Sequence, residues 1–194
     1  LELKVLHLVF APGHSEVGDL GDGAREGQVW VGIDCDDGRL VHGDVGQTFM
    51  YGAKGGHVFV QGNAAGRPLI NSVGCPRVVI NGTCLDYLAE SFMAGDPLND
   101  GGFVILNGIE WDDNGELREL PTPYPGGNLF SLASGGAIYV RDPHQRVSTD
   151  QLNGGDFAPF TSADWAVVEP LLKQNEREFG IPVTRLLEVD GQPR

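Results

Sequence analysis

Four short stretches of the chain carry near-continuous apolar runs, each closed by a polar or glycine-containing turn. They are His57-Val58-Phe59-Val60-Gln61-Gly62-Asn63, Arg77-Val78-Val79-Ile80-Asn81-Gly82-Thr83, Phe103-Val104-Ile105-Leu106-Asn107-Gly108-Ile109 and, more loosely, Ala137-Ile138-Tyr139-Val140-Arg141-Asp142-Pro143. Short apolar, largely β-branched runs bounded by turn residues predict β-strands. The copies start 20, 26 and 34 residues apart, the spacing of a repeat array whose insertions grow toward the C-terminus. Gly55-Gly56, Gly74-Cys75-Pro76, Gly101-Gly102 and Gly135-Gly136 lead into them.

Alternation also assigns faces, because successive side chains of a strand point to opposite sides. Val58, Val60, Val78, Ile80, Val104, Leu106, Ile138 and Val140 form the predicted inner column. Phe59, Val79, Ile105 and Tyr139 form the opposite column, which is also apolar and so demands a cover from another element or a partner. Gln61, Asn81 and Asn107 share one position beside the turn, where stacked amides can bond along the axis. These features predict an all-β parallel β-helix, with a β-sandwich joined by glycine turns as the competing architecture. A second repeat is registered on the turns: Gly43-Asp44-Val45-Gly46 precedes Tyr51 to Gly56, and Gly62-Asn63-Ala64-Ala65-Gly66 precedes Ile70 to Gly74. The 29 glycines are about twice the ordinary share.

Breaks in the repeat organise the rest of a single domain spanning 1–194. Residues 1–40 read as an N-terminal strand cap (Leu3 to Phe10, Gln28 to Ile33, Arg39 to His42) around an Asp/Gly-rich loop from Gly18 to Gly27. The repeat proper covers 41–145, with insertions at 85–100 and 110–127. Leu85 to Met93 carries apolar positions three and four apart and predicts a short helix. Trp111 to Pro125 reads as a charged, then proline-rich, surface loop. A C-terminal helix is expected over 161–180, with Thr161-Ser162-Ala163-Asp164 as its capping box, Trp165, Val168, Leu172 and Phe179 as its apolar stripe, Gly180 as its stop and Pro170 as a kink or the start of a second segment. This tail is the candidate to cover part of the apolar flank.

At the G-D/N-x-x-G turn followed by G-x-x-G-G and an aliphatic strand (Gly43 to Val60, and less closely Gly62 to Ile80), the chain resembles the GXGXG domain family. That domain is the C-terminal part of the glutamate synthase large subunit, a separate subunit in some glutamate synthase-like complexes, and one of the subunits of formylmethanofuran dehydrogenase. The resemblance covers roughly 40–145 and departs from the pattern at Gly74-Cys75 and after Gly82. It implies a right-handed parallel β-helix with a helical tail. It also implies a non-catalytic structural role in nitrogen metabolism, bridging a glutamine amidotransferase and a flavin-containing synthase subunit, with FMN and the iron-sulfur cluster on those partners and no cofactor in this chain. The alternative is the equivalent scaffold role in a one-carbon complex of the formylmethanofuran dehydrogenase type.

Charge and chemistry change this picture little. A formal net charge of -14 argues against a nucleic-acid groove, which needs a basic stripe. No apolar run approaches membrane-spanning length, Leu1 to Ala11 alternate like a strand rather than a signal peptide, and the unpaired set Cys35, Cys75 and Cys84 suits a reducing cytosol. A cytoplasmic protein is expected. No catalytic, cofactor-binding or metal-binding residue is assigned. His7, His14, His42, His57 and His144 lack metal-ligand spacing, and Ser15 misses the nucleophile-elbow pattern by one residue. Cys84 reads as a small buried thiol and the Asp86/Glu90 pair as a solvated face. Gly21 to Gly27 has one residue too many for a dinucleotide loop, and Gly52-Ala53-Lys54-Gly55 lacks the Ser or Thr of a P-loop. An independent hydrolase built on His14, Ser15 or Asp86 is the remaining, weakest reading.

Overall fold

The computed structural model describes residues 3–7, 38–41, 43–189 and 192–193. In chain order its strands are β1 (Leu3–His7), β2 (Gly38–Val41), β3 (His57–Val60), β4 (Arg77–Ile80), β5 (Phe103–Leu106), β6 (Ile109–Trp111), β7 (Leu117–Glu119), β8 (Ala137–Arg141), β9 (Asp156–Ala158), β10 (Glu188–Val189) and β11 (Gln192–Pro193). The helices are α1 (Ser162–Phe179) and α2 (Val183–Leu186). Seven strands form one sheet in the order β2-β3-β4-β5-β8-β1-β9.

The four repeats pair in parallel and in the register that their alternation predicts. Val58, Val78, Val104 and Ile138 lie side by side, as do Phe59, Val79, Ile105 and Tyr139, and Val60, Ile80, Leu106 and Val140. A one-residue slip would move every side chain to the other face, so two apolar columns of different partners hold the register firmly. The first and third rows join one core with Leu69, Leu88, Phe92, Tyr124, Leu129 and Phe130. The middle row joins a second core on the far side of the sheet. Burial on both faces is why the strands carry near-continuous aliphatic runs.

The turns stack as well. Parallel bridges link Val45 to Ala64 and Ala64 to Cys84, and Gly62 N donates to Gly43 O (2.9 Å), as Gly82 N does to Gly62 O (2.9 Å). Only glycine fits at the later positions: a Cβ on Gly62 would lie 2.1 Å from Asp44 Oδ1, and one on Gly82 2.2 Å from Asn63 Oδ1. At a second set of corners, non-glycine residues adopt left-handed backbone: Thr48, Met50, Arg67, Leu69, Asn71, Tyr87, Ala89, Ser91, Phe130 and Leu132. That conformation costs roughly 1–2 kcal/mol per residue. Bonds between successive corners offset it, among them Leu69 N to Phe49 O (2.7 Å), Ala89 N to Pro68 O (3.0 Å) and Ser91 N to Ser131 O (2.7 Å).

The expected all-β, right-handed β-helical solenoid is overturned by two features. The sheet is mixed: it is parallel from β2 through β8, but β1 inserts between β8 and β9 and pairs antiparallel with both. The second core is built by α1, which makes a helix an integral layer of the fold instead of an accessory tail. The repeat accounts for the parallel part only. Nor does the N-terminal segment cap one end as a unit, since β2 pairs with β3 at one edge while β1 lies near the opposite edge. The Gly18–Gly27 loop and the strand expected at Gln28–Ile33 lie outside the described residues.

Helix α1 forms where its capping signals place it. Thr161 caps it with the reciprocal Thr161/Asp164 box, and Gly180 ends it at φ 68°. Pro170 sits inside a continuous 18-residue helix and starts no second segment. Val168, Leu171, Leu172 and Phe179 pack on Phe59, Val79, Ile105 and Tyr139, each burial stabilising by about 1.5–3 kcal/mol. Tyr139 Oη donates to Asp164 Oδ1 (3.1 Å), so the capping carboxylate also ties the helix start to β8. The apolar flank is therefore covered from within the chain, its four residues each 0 % exposed.

Both insertions differ from expectation. Leu85 to Met93 forms no helix: Leu88, Ala89 and Phe92 are buried in the first core, and the backbone takes left-handed corners at Tyr87, Ala89 and Ser91. The helix-like spacing came from apolar residues that turn inward at a corner. The segment 109–119 is a hairpin, β6 against β7, and not a loop. Its turn is held by Asp112, whose Oδ1 accepts from Asn114 N and Glu116 N, both at 2.9 Å. Beyond it, Tyr124 is 1 % exposed, so the proline-rich stretch contributes to the core.

Candidate functional site

Polar side chains gather at four places, and each can be tested for chemistry. The first contains the acid and thiol that the sequence singles out. Asp86 Oδ1 accepts from Tyr87 N (2.9 Å), Asn128 N (2.9 Å) and Tyr124 Oη (3.1 Å), and Asn128 Nδ2 donates to Oδ2 (3.3 Å). Burial pushes the carboxyl up, but these hydrogen bonds outweigh it and hold Asp86 below the ordinary aspartate range. A carboxylate whose lone pairs are so occupied is a poor general base. Cys84, fully buried, has its thiol pushed up to about 12 by burial above all, against the hydrogen bond to the Asp86 backbone that lowers it and with a smaller upward push from the Asp86 charge. It is no nucleophile at neutral pH. Glu90 pairs with Arg67 Nη1 at 2.5 Å, so both carboxylates are bonded within the fold and half-buried instead of forming the solvated Asp86/Glu90 face that the sequence suggests.

The second place is a shallow depression of about 170 Å³ lined by Gly56, His57, Cys75, Arg77 and Asp100. Arg77 is fixed across it, with Nε donating to Gly101 O (3.4 Å), Nη2 at 3.8 Å from Asp100, and the guanidinium 5.2 Å from the Phe103 ring centre. The third centres on Glu119. Its Oε1 accepts from Arg141 Nη2 (2.7 Å) and its Oε2 lies 3.0 Å from His144 Nε2, while Arg185 stands 3.9 Å away. Arg141, 5 % exposed, also donates from Nε to Leu186 O (2.7 Å) and from Nη2 to Glu188 O (2.8 Å). One ion pair thus fastens the end of the chain to β7 and β8. Burial raises Glu119 and its bonds and charge pairing with Arg141, then His144, lower it; the net direction is down.

The fourth is a buried triad of amides that sequence reasoning anticipated in part. Asn107 Nδ2 donates to Asn81 Oδ1 (2.9 Å), as expected of a stacked column. Gln61 stands apart from it, accepting from Gly43 N at 3.3 Å. Its place is taken by Asn175 of α1, which donates to Asn81 Oδ1 (2.9 Å) and accepts from Asn81 Nδ2 (2.8 Å). An asparagine on the buried stripe of an amphipathic helix is the signal that could have found it.

Among the described residues, no group of three or more His, Cys, Asp or Glu is placed to hold a metal, and no helix is long and apolar enough to cross a membrane. His14, Ser15, His42, Cys35 and the Gly21–Gly27 loop lie outside the described residues, as does the side chain of His7. No family model, curated protein or solved structure matches the chain.

The turn motif therefore has the best-defined job. Asp44 Oδ1 accepts from Asn63 N (2.7 Å), and Asn63 Oδ1 accepts from Thr83 N (2.9 Å). Thr83 Oγ1 ends the series by donating to Pro123 O (2.6 Å). The Asp/Asn of each turn satisfies the backbone of the next, and the glycine beside it admits the close approach.

Proposed function

We propose that this chain is a structural, non-catalytic component of a glutamate synthase-like oxidoreductase assembly in the cytoplasm, bridging its glutamine amidotransferase and flavin-containing synthase parts. With the β-helical solenoid set aside, the observation that carries the reading is local. Within the motif on which the resemblance rests, Gly43, Asp44, Gly62 and Asn63 join one turn to the next. A chain whose recurrent motif is devoted to backbone support is suited to hold other domains in position. The acid and thiol nearest that motif, Asp86 and Cys84, are likewise engaged in internal bonds.

Covering of the flank by α1 moves the expected partner contact elsewhere. Large apolar side chains remain exposed at Leu132 (81 %), Met93 (47 %) and Trp111 (39 %), and loops and hairpins on a rigid support are the usual places of recognition. Trp111 stands on the β6–β7 hairpin. Affinity capture with the tagged chain from its native cell should recover a flavin-containing synthase subunit. The double variant Trp111→Ser, Leu132→Ser should reduce recovery without lowering the melting temperature. Recovery of neither an oxidoreductase nor an amidotransferase would refute the proposal.

A further inference from the structure

The chain contains four Asn-Gly pairs, Asn81-Gly82, Asn107-Gly108, Asn114-Gly115 and Asn153-Gly154, and the fold treats them very differently. In this dipeptide the glycine amide nitrogen can attack the asparagine side-chain carbonyl, because no Cβ hinders its approach. The new N–C bond closes a succinimide and expels the side-chain nitrogen as ammonia. Water then opens the ring at either carbonyl, giving aspartate or isoaspartate, with no oxidant or reductant involved.

Two pairs are locked. Asn81 and Asn107 are buried, and their carboxamides bond to each other. The nitrogens that would attack are engaged too, Gly82 N with Gly62 O (2.9 Å) and Gly108 N with Gly82 O (3.0 Å). Reaction there needs the sheet core to open, and each 1.4 kcal/mol of opening free energy slows it about tenfold. Asn153 is exposed, yet its Nδ2 donates to Leu129 O (3.2 Å) and Gln151 O (3.4 Å), which restrains the leaving group.

Asn114 is different. It and Gly115 are exposed at the β6–β7 turn, and among the described residues its carboxamide has no hydrogen-bond partner. Gly115 is at φ 78°, and its N–H bonds only to Asp112 O within the turn (2.9 Å), a bond that solvent can replace. We infer that Asn114 is a site of spontaneous covalent modification, converting to aspartate and isoaspartate through a succinimide with water as the only co-reactant. An isoaspartate inserts one extra carbon into the backbone between Asp112 and Glu116, so the Asp112 N to Glu116 O bond (2.9 Å) and the turn it closes are lost.

Intact folded protein is incubated at mildly alkaline pH, then digested and mapped by mass spectrometry, with isoaspartate counted by enzymatic methyl transfer. The mass change of NH₂ replaced by OH, together with isoaspartate, is expected at Asn114 at least about tenfold faster than at Asn81 or Asn107, given the opening those sites require. Asn153 should fall between. In the urea-unfolded chain all four should react at similar rates, and Asn114→Gln should abolish the leading product with the folded melting temperature unchanged. An unmodified Asn114 in folded protein that reacts normally when unfolded overturns the inference. So does equal reaction at Asn81 in the folded state.

Discussion

Replacing Asn175 by alanine tests how α1 is held to the sheet. Asn175 is 0 % exposed and makes two bonds to Asn81, at 2.8 and 2.9 Å. In the variant, Asn81 keeps its donation to Val60 O and its acceptance from Asn107, but one of its N–H groups is orphaned in a dry interior. An orphaned buried donor costs about 1–3 kcal/mol, and the vacated carboxamide leaves a void worth about 1 kcal/mol. Better helix propensity of alanine returns a few tenths. The expected loss is therefore about 2–4 kcal/mol, a large part of the roughly 5–15 kcal/mol that stabilises an ordinary domain. Urea unfolding followed by far-ultraviolet circular dichroism should show a lower midpoint at unchanged slope, and the melting temperature should fall by about 4–16 °C. Asn81→Ala should cost more, since it orphans groups on both Asn107 and Asn175, and the double variant should be less destabilised than the sum. If Asn175→Ala lies within about 0.5 kcal/mol of the parent, the amide triad does not couple helix to sheet, and α1 is held by its apolar stripe alone.

Gly82→Ala should destabilise by about 1–3 kcal/mol through overpacking, since its Cβ would meet Asn63 Oδ1 at 2.2 Å, whereas Gly127→Ala, with nothing within 4 Å, should be near neutral; thermal melts of the pair decide it. Cys84, its thiol pushed up to about 12, should resist alkylation in folded protein at neutral pH and react once urea unfolds it; labelling as fast as that of Cys75 would contradict its burial. Asp86 and Glu119 are both held below their ordinary values, so each contributes stability that is present above the unfolded carboxylate range and lost as pH falls through the lower folded value. The acid limb of the stability-pH curve should accordingly flatten in Asp86→Asn and in Glu119→Gln, and an unchanged acid limb would dismiss these carboxylates as its source.

The parts of the fold that were legible are those where local pattern and global partner coincide. In Val78-Val79-Ile80-Asn81 the short apolar run, the β-branching and the following amide all demand the same register, and the neighbouring copy repeats the demand. Helix α1 announces itself by Thr161, Asp164 and Gly180, all within a few residues of its ends. The antiparallel entry of β1 was not legible, because nothing in Leu3–His7 names a partner more than a hundred positions away. Leu85 to Met93 misled because an inward-turning corner and an amphipathic helix put apolar residues at the same spacing, and left-handed backbone at Tyr87, Ala89 and Ser91 leaves no mark in side chains that are neither glycine nor asparagine. Among the site residues, Asp86 and Cys84 were noticed for what they can do, while Asp86 is restrained by Tyr124 and Asn128, across the second insertion, and the Cys84 thiol by the Ala65 and Asp86 carbonyls. Glu119 and Arg141 lie 22 residues apart and meet only when the hairpin folds back.

The position of β1 also bears on the order in which the protein takes shape during synthesis. The parallel strands β3, β4 and β5 are near neighbours in sequence and can pair as they emerge from the ribosome. The slot for β1 does not exist until β8 and β9 have been made, so β1, synthesised before both, is seated only after them. Until then β1 is an unpaired edge seeking a partner, as is the flank of β8 it will occupy. Such a waiting strand is where a chaperone is most needed, and where two nascent chains sharing a messenger are most apt to exchange β1.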